Sequence, residues 1–199
     1  MARQGELFGP SALAGAKESG AQGLPLLAHQ LLEWQARLAA HQHPLLGEQG
    51  DAQQQGSLFG EPGPATGGAA DELNPLMLRP QPLSFWRWPT APQRGAALYF
   101  VADRPASLGQ PLLLYVGETA RADQRWKGEH DCKAYLAAYS EALLAAGLTC
   151  QLSIRFWLDA PETTRARRAL EQALIQRWLP PFNKETRSRW ATPFQAEST

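Results

Sequence analysis

Cysteine is scarce in this chain. Cys132 and Cys150 are the two present, with no CxxC spacing and no His pair beside them. Neither a structural zinc site nor a disulfide framework is therefore indicated, and a reducing, cytoplasmic setting is the expectation. Long apolar runs are missing as well. No stretch approaches the roughly 20 residues that a membrane-spanning helix needs, and the N-terminus has no charged-then-apolar export pattern, so a soluble protein with no membrane partner is expected. A dominant charge sign is also lacking, with 19 basic side chains against 19 acidic ones. The balance is uneven along the chain, since residues 1–93 hold 5 basic and 8 acidic groups and residues 94–199 hold 14 and 11. The second half is mildly cationic, which suits a surface that visits phosphates.

What is present begins with two segments of low apolar content. Residues 1–23 and 47–72 are rich in Gly, Ala, Ser and Gln, including Gln53-Gln54-Gln55 and Pro62-Gly63-Pro64. Both are expected to be largely disordered, because they can bury too little apolar surface to offset chain entropy. Between them, over residues 24–46, Leu27, Leu31, Trp34 and Leu38 recur at helical spacing, with Gly47 as a breaker. This predicts one amphipathic helix, which docks on the C-terminal domain, self-associates or recruits a partner. Residues 73–94 form an apolar extension with several prolines and the cluster Phe85-Trp86-Arg87-Trp88. It is too punctuated for a helix and is expected to lie along the folded domain, its tryptophans serving either packing or the stacking of unpaired bases.

From residue 95 to 190 the pattern becomes orderly, and 191–199 reads as a tail. Ala96–Ala102 and Leu112–Val116 are strand-like, separated by loop chemistry at Asp103-Arg104-Pro105 and Leu108-Gly109-Gln110-Pro111. A helix is predicted from Asp131 to Ala146, with Gly147 just past its end. Cys150, Leu152, Ile154, Phe156 and Leu158 alternate with Gln151, Ser153, Arg155 and Trp157, predicting a strand with one buried face. Asp159 and Pro161 open a last helix with Leu170, Leu174 and Trp178 as its stripe, and Pro180-Pro181 closes it. Two hairpin strands, a helix, a third strand and a helix make a small α+β domain.

Four polar residues in this half suit phosphodiester hydrolysis. That reaction needs a group to prepare water, positive charge on the phosphate, and usually a metal ion. Tyr99 and Tyr115 offer phenols on neighbouring strands, although a phenol titrates near pH 10 and is a poor base unless a cation assists it. Gly117 follows Tyr115 and would permit a sharp turn. Arg125 carries a permanent planar fork suited to a phosphate, or else an ordinary surface pair with Asp123 or Glu129. Glu171, one position from the Leu170 stripe, would leave the helix at the edge of its buried face, either towards a divalent cation or towards Arg167 or Arg168 at helical spacing.

The series Ala97-Leu98-Tyr99, Tyr115-Val116-Gly117, Arg125, Glu171 and Pro180-Pro181-Phe182-Asn183 resembles the GIY-YIG nuclease family over about the last half of the chain. The resemblance implies a three-stranded antiparallel sheet with helices around it. It also implies a metal-dependent DNA endonuclease using Mg2+ or Mn2+, with Tyr99 and Tyr115 preparing the water, Arg125 on the scissile phosphate and Glu171 on the metal. Asn183 matches a closing asparagine read as structural. Two departures stand out. The first motif is Ala-Leu-Tyr, and Glu118 stands where many members carry lysine, a reversal for which Lys127 or Arg121 would compensate. His130 lies one residue beyond a histidine of many relatives, making Lys127 and His130 auxiliary candidates. A catalytically weak DNA-binding or clamp-binding adaptor that keeps the fold is the alternative, and a purely structural interaction protein using the Leu27 helix and the tryptophan cluster is a third.

One peptide occurs twice: Gln4-Gly5-Glu6-Leu7-Phe8-Gly9 and Gln55-Gly56-Ser57-Leu58-Phe59-Gly60. Both copies are similar to the glutamine-x-x-leucine-phenylalanine peptide by which bacterial proteins bind the replicative sliding clamp. The resemblance implies that Gln4, Leu7, Phe8, Gln55, Leu58 and Phe59 contact such a partner, with two copies adding avidity. Taken together, the expectation is an endonuclease of repair or recombination, cytoplasmic and associated with the nucleoid when on DNA.

Overall fold

The computed structural model describes residues 26–47, 66–87, 93–125 and 131–192. The two repeated peptides, with Gln4, Leu7, Phe8, Gln55, Leu58 and Phe59, lie outside the described residues, as do Lys127, His130 and Trp88. The elements in chain order are α1 (Ala28–Gln42), α2 (Thr66–Glu72), β1 (Gln81–Pro82), a 3-10 turn (Leu83–Arg87), β2 (Ala97–Asp103), β3 (Leu112–Thr119), α3 (Ala122–Arg125), α4 (Asp131–Ala145), β4 (Ser153–Trp157), α5 (Thr164–Trp178) and a second 3-10 turn (Arg187–Trp190).

This is an α+β fold around an antiparallel sheet of four strands in the order β1-β4-β2-β3. Three strands were expected. The fourth comes from the proline-rich extension, where Gln81 and Pro82 pair with Ile154 and Ser153 of β4. Pro82 has no N–H to give to a ladder, and β1 is correspondingly short and at the sheet edge.

The central strand β2 is buried at every position. Its alternation divides two cores. Tyr99 and Val101 join Ile154, the α1 residues Leu31, Trp34 and Leu38, and the α4 residues Leu136, Tyr139 and Leu143. Leu98, Phe100 and Ala102 face the α5 residues Leu170, Leu174 and Trp178 together with Ala70 of α2. Both faces of the sheet are therefore covered, and the expectation of one buried face on β4 is corrected: Arg155 on the second face is only 6% exposed. Leu158, placed in the buried set by alternation, falls beyond the strand and is 48% exposed.

Helix α1 packs into the first core. Trp34 stacks on Phe182 with ring centroids 6.3 Å apart, and its indole N–H donates to the Trp190 carbonyl at 3.2 Å. Gln35 donates to the Tyr139 hydroxyl at 2.7 Å, which donates to the buried Asp103 carboxylate at 2.7 Å. Burial pushes the Asp103 carboxyl above its ordinary range. Leu27 does not join the stripe. It is the N-cap, outside the helical register, and is 56% exposed. The helix stops at His43, before Gly47, because Pro44 lacks the N–H that would continue it; another helical turn follows over residues 44–47.

Residues 66–72, assigned to a disordered linker, form α2, where Ala70 packs on α5 and Asp71 pairs with Arg177. Helix α5 starts at Thr164, with the Thr163 hydroxyl accepting from the Ala166 N–H, in place of a start at Asp159 and Pro161. No helix among the described residues is long and apolar enough to cross a membrane.

Candidate active site

The site gathers at β2, β3 and the turn that follows β3. Tyr99 lies opposite Gly117 on one side and Phe156 on the other. Gly117 sits inside β3, two residues before its end, and does not make the sharp turn expected of it. What it provides is space. A Cβ built on Gly117 would stand 2.3 Å from Tyr99 Cζ and 2.4 Å from its hydroxyl oxygen, so any side chain there would collide with the ring. Tyr115, two residues earlier, packs against Tyr99 with ring centroids 5.9 Å apart.

Arg125 reaches this pair from the short helix α3. The Thr119 hydroxyl accepts from the Arg121 N–H at 3.0 Å, and the Gly95 carbonyl accepts from the Ala122 N–H at 2.9 Å. Ala122 is fully buried and pins the turn. From there Arg125 Nε donates to the Tyr99 hydroxyl at 3.1 Å, with its guanidinium carbon 5.8 Å from the ring centroid. Among the described residues no carboxylate lies within ion-pair distance of Arg125. The surface pair with Asp123 does not form, and Glu129 lies outside the described residues.

Tyr99 is fully buried. Burial first, and then the neighbouring Tyr115, raise its phenol well above the usual pKa despite the Arg125 hydrogen bond. Tyr115 is half-buried, and burial is again the main cause that pushes its phenol up to about 12. Neither phenol is a base at neutral pH on its own. The Tyr99 oxygen accepts from Arg125, and its ring packs on Tyr115, so the buried phenol touches both groups.

Glu171 approaches from α5 around the open edge of β3. Its Oε1 accepts from the backbone N–H of Glu118 at 3.0 Å. Burial and then the charge of Glu118 push the carboxyl up to about 7. Arg167 and Arg168, the alternative partners of Glu171, turn to Glu118. Arg167, only 1% exposed, donates from Nε to Glu118 Oε2 at 2.9 Å, and Arg168 Nε lies 3.4 Å from Oε1. Glu118 is therefore the counter-ion of a buried arginine, and Arg167 and Arg168 compensate its acidity beside the site. No spacing pattern marks this pair, since the two residues come from separate elements.

The β3 edge is closed by side chains. Gln42 accepts from the Leu113 N–H at 2.8 Å and donates to the Leu113 carbonyl at 2.9 Å. Asn183 accepts from the Val116 N–H at 2.9 Å and donates to the Val116 carbonyl at 2.8 Å. The Phe182 N–H donates to the Leu114 carbonyl at 3.0 Å. With Glu171 on Glu118, these groups pair with backbone along the β3 edge and hold Tyr115–Gly117 in place. Asn183 has the structural part expected of it, whereas Gln42 lies far away in the sequence and no local pattern marks it.

Among the described residues no three His, Cys, Asp or Glu side chains assemble into a metal cage. A site built on one carboxylate remains chemically suitable for Mg2+, which keeps several waters and takes substrate phosphate oxygens. Glu171 fits that role, because burial and a like charge leave its own charge poorly compensated. Comparison with protein-family models, with curated proteins and with solved structures yields no match.

Proposed function

We propose that the chain is a GIY-YIG-type endonuclease that hydrolyses DNA phosphodiesters with one divalent cation, Mg2+ or Mn2+, at the Tyr99–Tyr115–Arg125–Glu171 site. The observation that carries the reading is the Arg125–Tyr99 hydrogen bond beside Tyr115, in which a guanidinium without an acidic partner among the described residues is held by a buried phenol. Arg125 binds the scissile phosphate and stabilises charge that builds on its oxygens. Tyr99 holds Arg125 by its Nε and leaves the rest of the fork for phosphate. Tyr115, the more accessible phenol, orients the attacking water through its hydroxyl. Glu171 holds the metal ion, which when bound supplies Lewis acidity at a phosphate oxygen.

We infer recruitment by a sliding clamp through Leu7-Phe8 and Leu58-Phe59, which the repeated peptides support, and a role in repair or recombination. The test is Mg2+-dependent cleavage of nicked, flapped, branched and plain duplex DNA by wild type, Arg125→Ala and Glu171→Ala. Cutting that is lost in both variants supports the nuclease. DNA binding without cutting, unchanged in the variants and under Mn2+, supports the adaptor instead.

A further inference from the structure

A second concave site lies away from the tyrosines. Beyond the loop end of β2, a groove of about 740 Å3 runs between β4 and the segment before β1. That volume falls within the range that holds small ligands. Its wall is aliphatic, with Leu46, Leu76, Leu78 and Leu152, and among the described residues no aromatic ring lines it. Its polar end carries Arg104 and Arg155 beside the neutral Gln110, Gln151 and Ser153.

Arg155 is the unusual member. It is 6% exposed, and among the described residues no carboxylate lies within ion-pair distance of it. Its Nε donates to the Leu78 carbonyl at 3.2 Å and one terminal nitrogen donates to the Ser153 hydroxyl at 2.9 Å, both neutral acceptors. A buried cation is costly without a counter-charge. Here the neighbouring charge has the same sign, because Arg104 adds to the burial that lowers the Arg155 pKa. Two guanidiniums at one end of a groove ask for an anion, and the four leucines along its wall suit an alkyl body.

We propose that this groove binds a small amphipathic anion, its oxyanion on Arg104 and Arg155 and its aliphatic body along Leu46, Leu76, Leu78 and Leu152. A phosphate monoester and a carboxylate share that chemistry. The site is on the opposite face of the sheet from Tyr99 and does not depend on the nuclease reading.

The experiment titrates the full-length 15N-labelled chain with octyl phosphate, octanoate, inorganic phosphate and neutral octyl glucoside, following the amides of Arg104, Leu152 and Ser153. Arg104→Ala serves as the main variant, since Arg104 is exposed and its loss spares the core. Arg155→Met serves as a second, with its amide spectrum as the folding control. Saturable shifts with an alkyl anion, absent with octyl glucoside and weakened about tenfold or more by Arg104→Ala, are expected. The stronger of octyl phosphate and octanoate identifies the head group. No shift with either alkyl anion, an equal response to octyl glucoside, inorganic phosphate binding as tightly as octyl phosphate, or unchanged affinity in Arg104→Ala would each overturn the proposal.

Discussion

Gly117 and Tyr99 face each other across the β2–β3 ladder so closely that the glycine hydrogen occupies the place where a methyl would meet the phenol ring. Gly117→Ala must displace a fully buried ring, and overpacking of this kind costs about 1–3 kcal/mol. The displaced ring would also carry Arg125 with it. Urea unfolding of Gly117→Ala should show the loss, and the same substitution in a Tyr99→Val background should cost much less. Equal costs in the two backgrounds would mean that the collision does not govern this position.

Tyr99 and Arg125 share one hydrogen bond, and the two residues should fail differently. Arg125→Lys keeps a charge but loses the planar fork, and cleavage should fall by about 10²-fold or more. Tyr99→Phe removes only the hydroxyl and should lower the rate by about tenfold, the scale of one net hydrogen bond. The pH profile separates positioning from proton abstraction. A positioning role leaves its shape unchanged in Tyr99→Phe, whereas disappearance of a titrating limb would make Tyr99 the base.

Much of this architecture was legible in the chain because local signals carry it. The tyrosine strands, the Gly147 stop of α4 with its φ of 72° and the stripe of α5 all follow from spacing and turn chemistry. What escaped depends on residues far apart in sequence. The fourth strand is two residues long, too short for any periodicity. Gln42 closes the β3 edge from a helix seventy-one positions before Leu113, and glutamine on a helix face signals nothing. Glu118 read as a hostile charge because its partner Arg167 sits on another element, reached only when α5 folds over the sheet.

The Glu118–Arg167 pair makes a direct prediction about the residue that resembling nucleases carry. Glu118→Lys would set a second cation against an arginine that is 1% exposed. Breaking a buried pair costs about 3–5 kcal/mol, and the added repulsion should make Glu118→Lys less stable than Glu118→Gln. Chemical denaturation of the three proteins checks the order. A Glu118→Lys protein as stable as wild type would show that Arg167 does not need its acid.

Glu171 links the site to pH. Its carboxyl is pushed up to about 7 from its ordinary value of 4.5, by burial and then by Glu118. In this window the native state holds a proton that the unfolded chain has released. The contribution to stability is complete below the unfolded value and is lost as pH rises through about 7. Glu171→Gln should remove this slope, so the stability gap between wild type and variant should change from pH 4 to about 7 and then flatten. Metal binding should run the other way. A cation needs the carboxylate, so Mg2+ affinity should rise steeply up to about pH 7 and level off above it, with protons released on binding. Calorimetric titration at pH 6 in buffers of different ionisation enthalpy measures that release directly. Mg2+ affinity independent of pH, or unaltered in Glu171→Gln, would remove Glu171 from the metal site and with it the hydrolytic role assigned to this edge of β3.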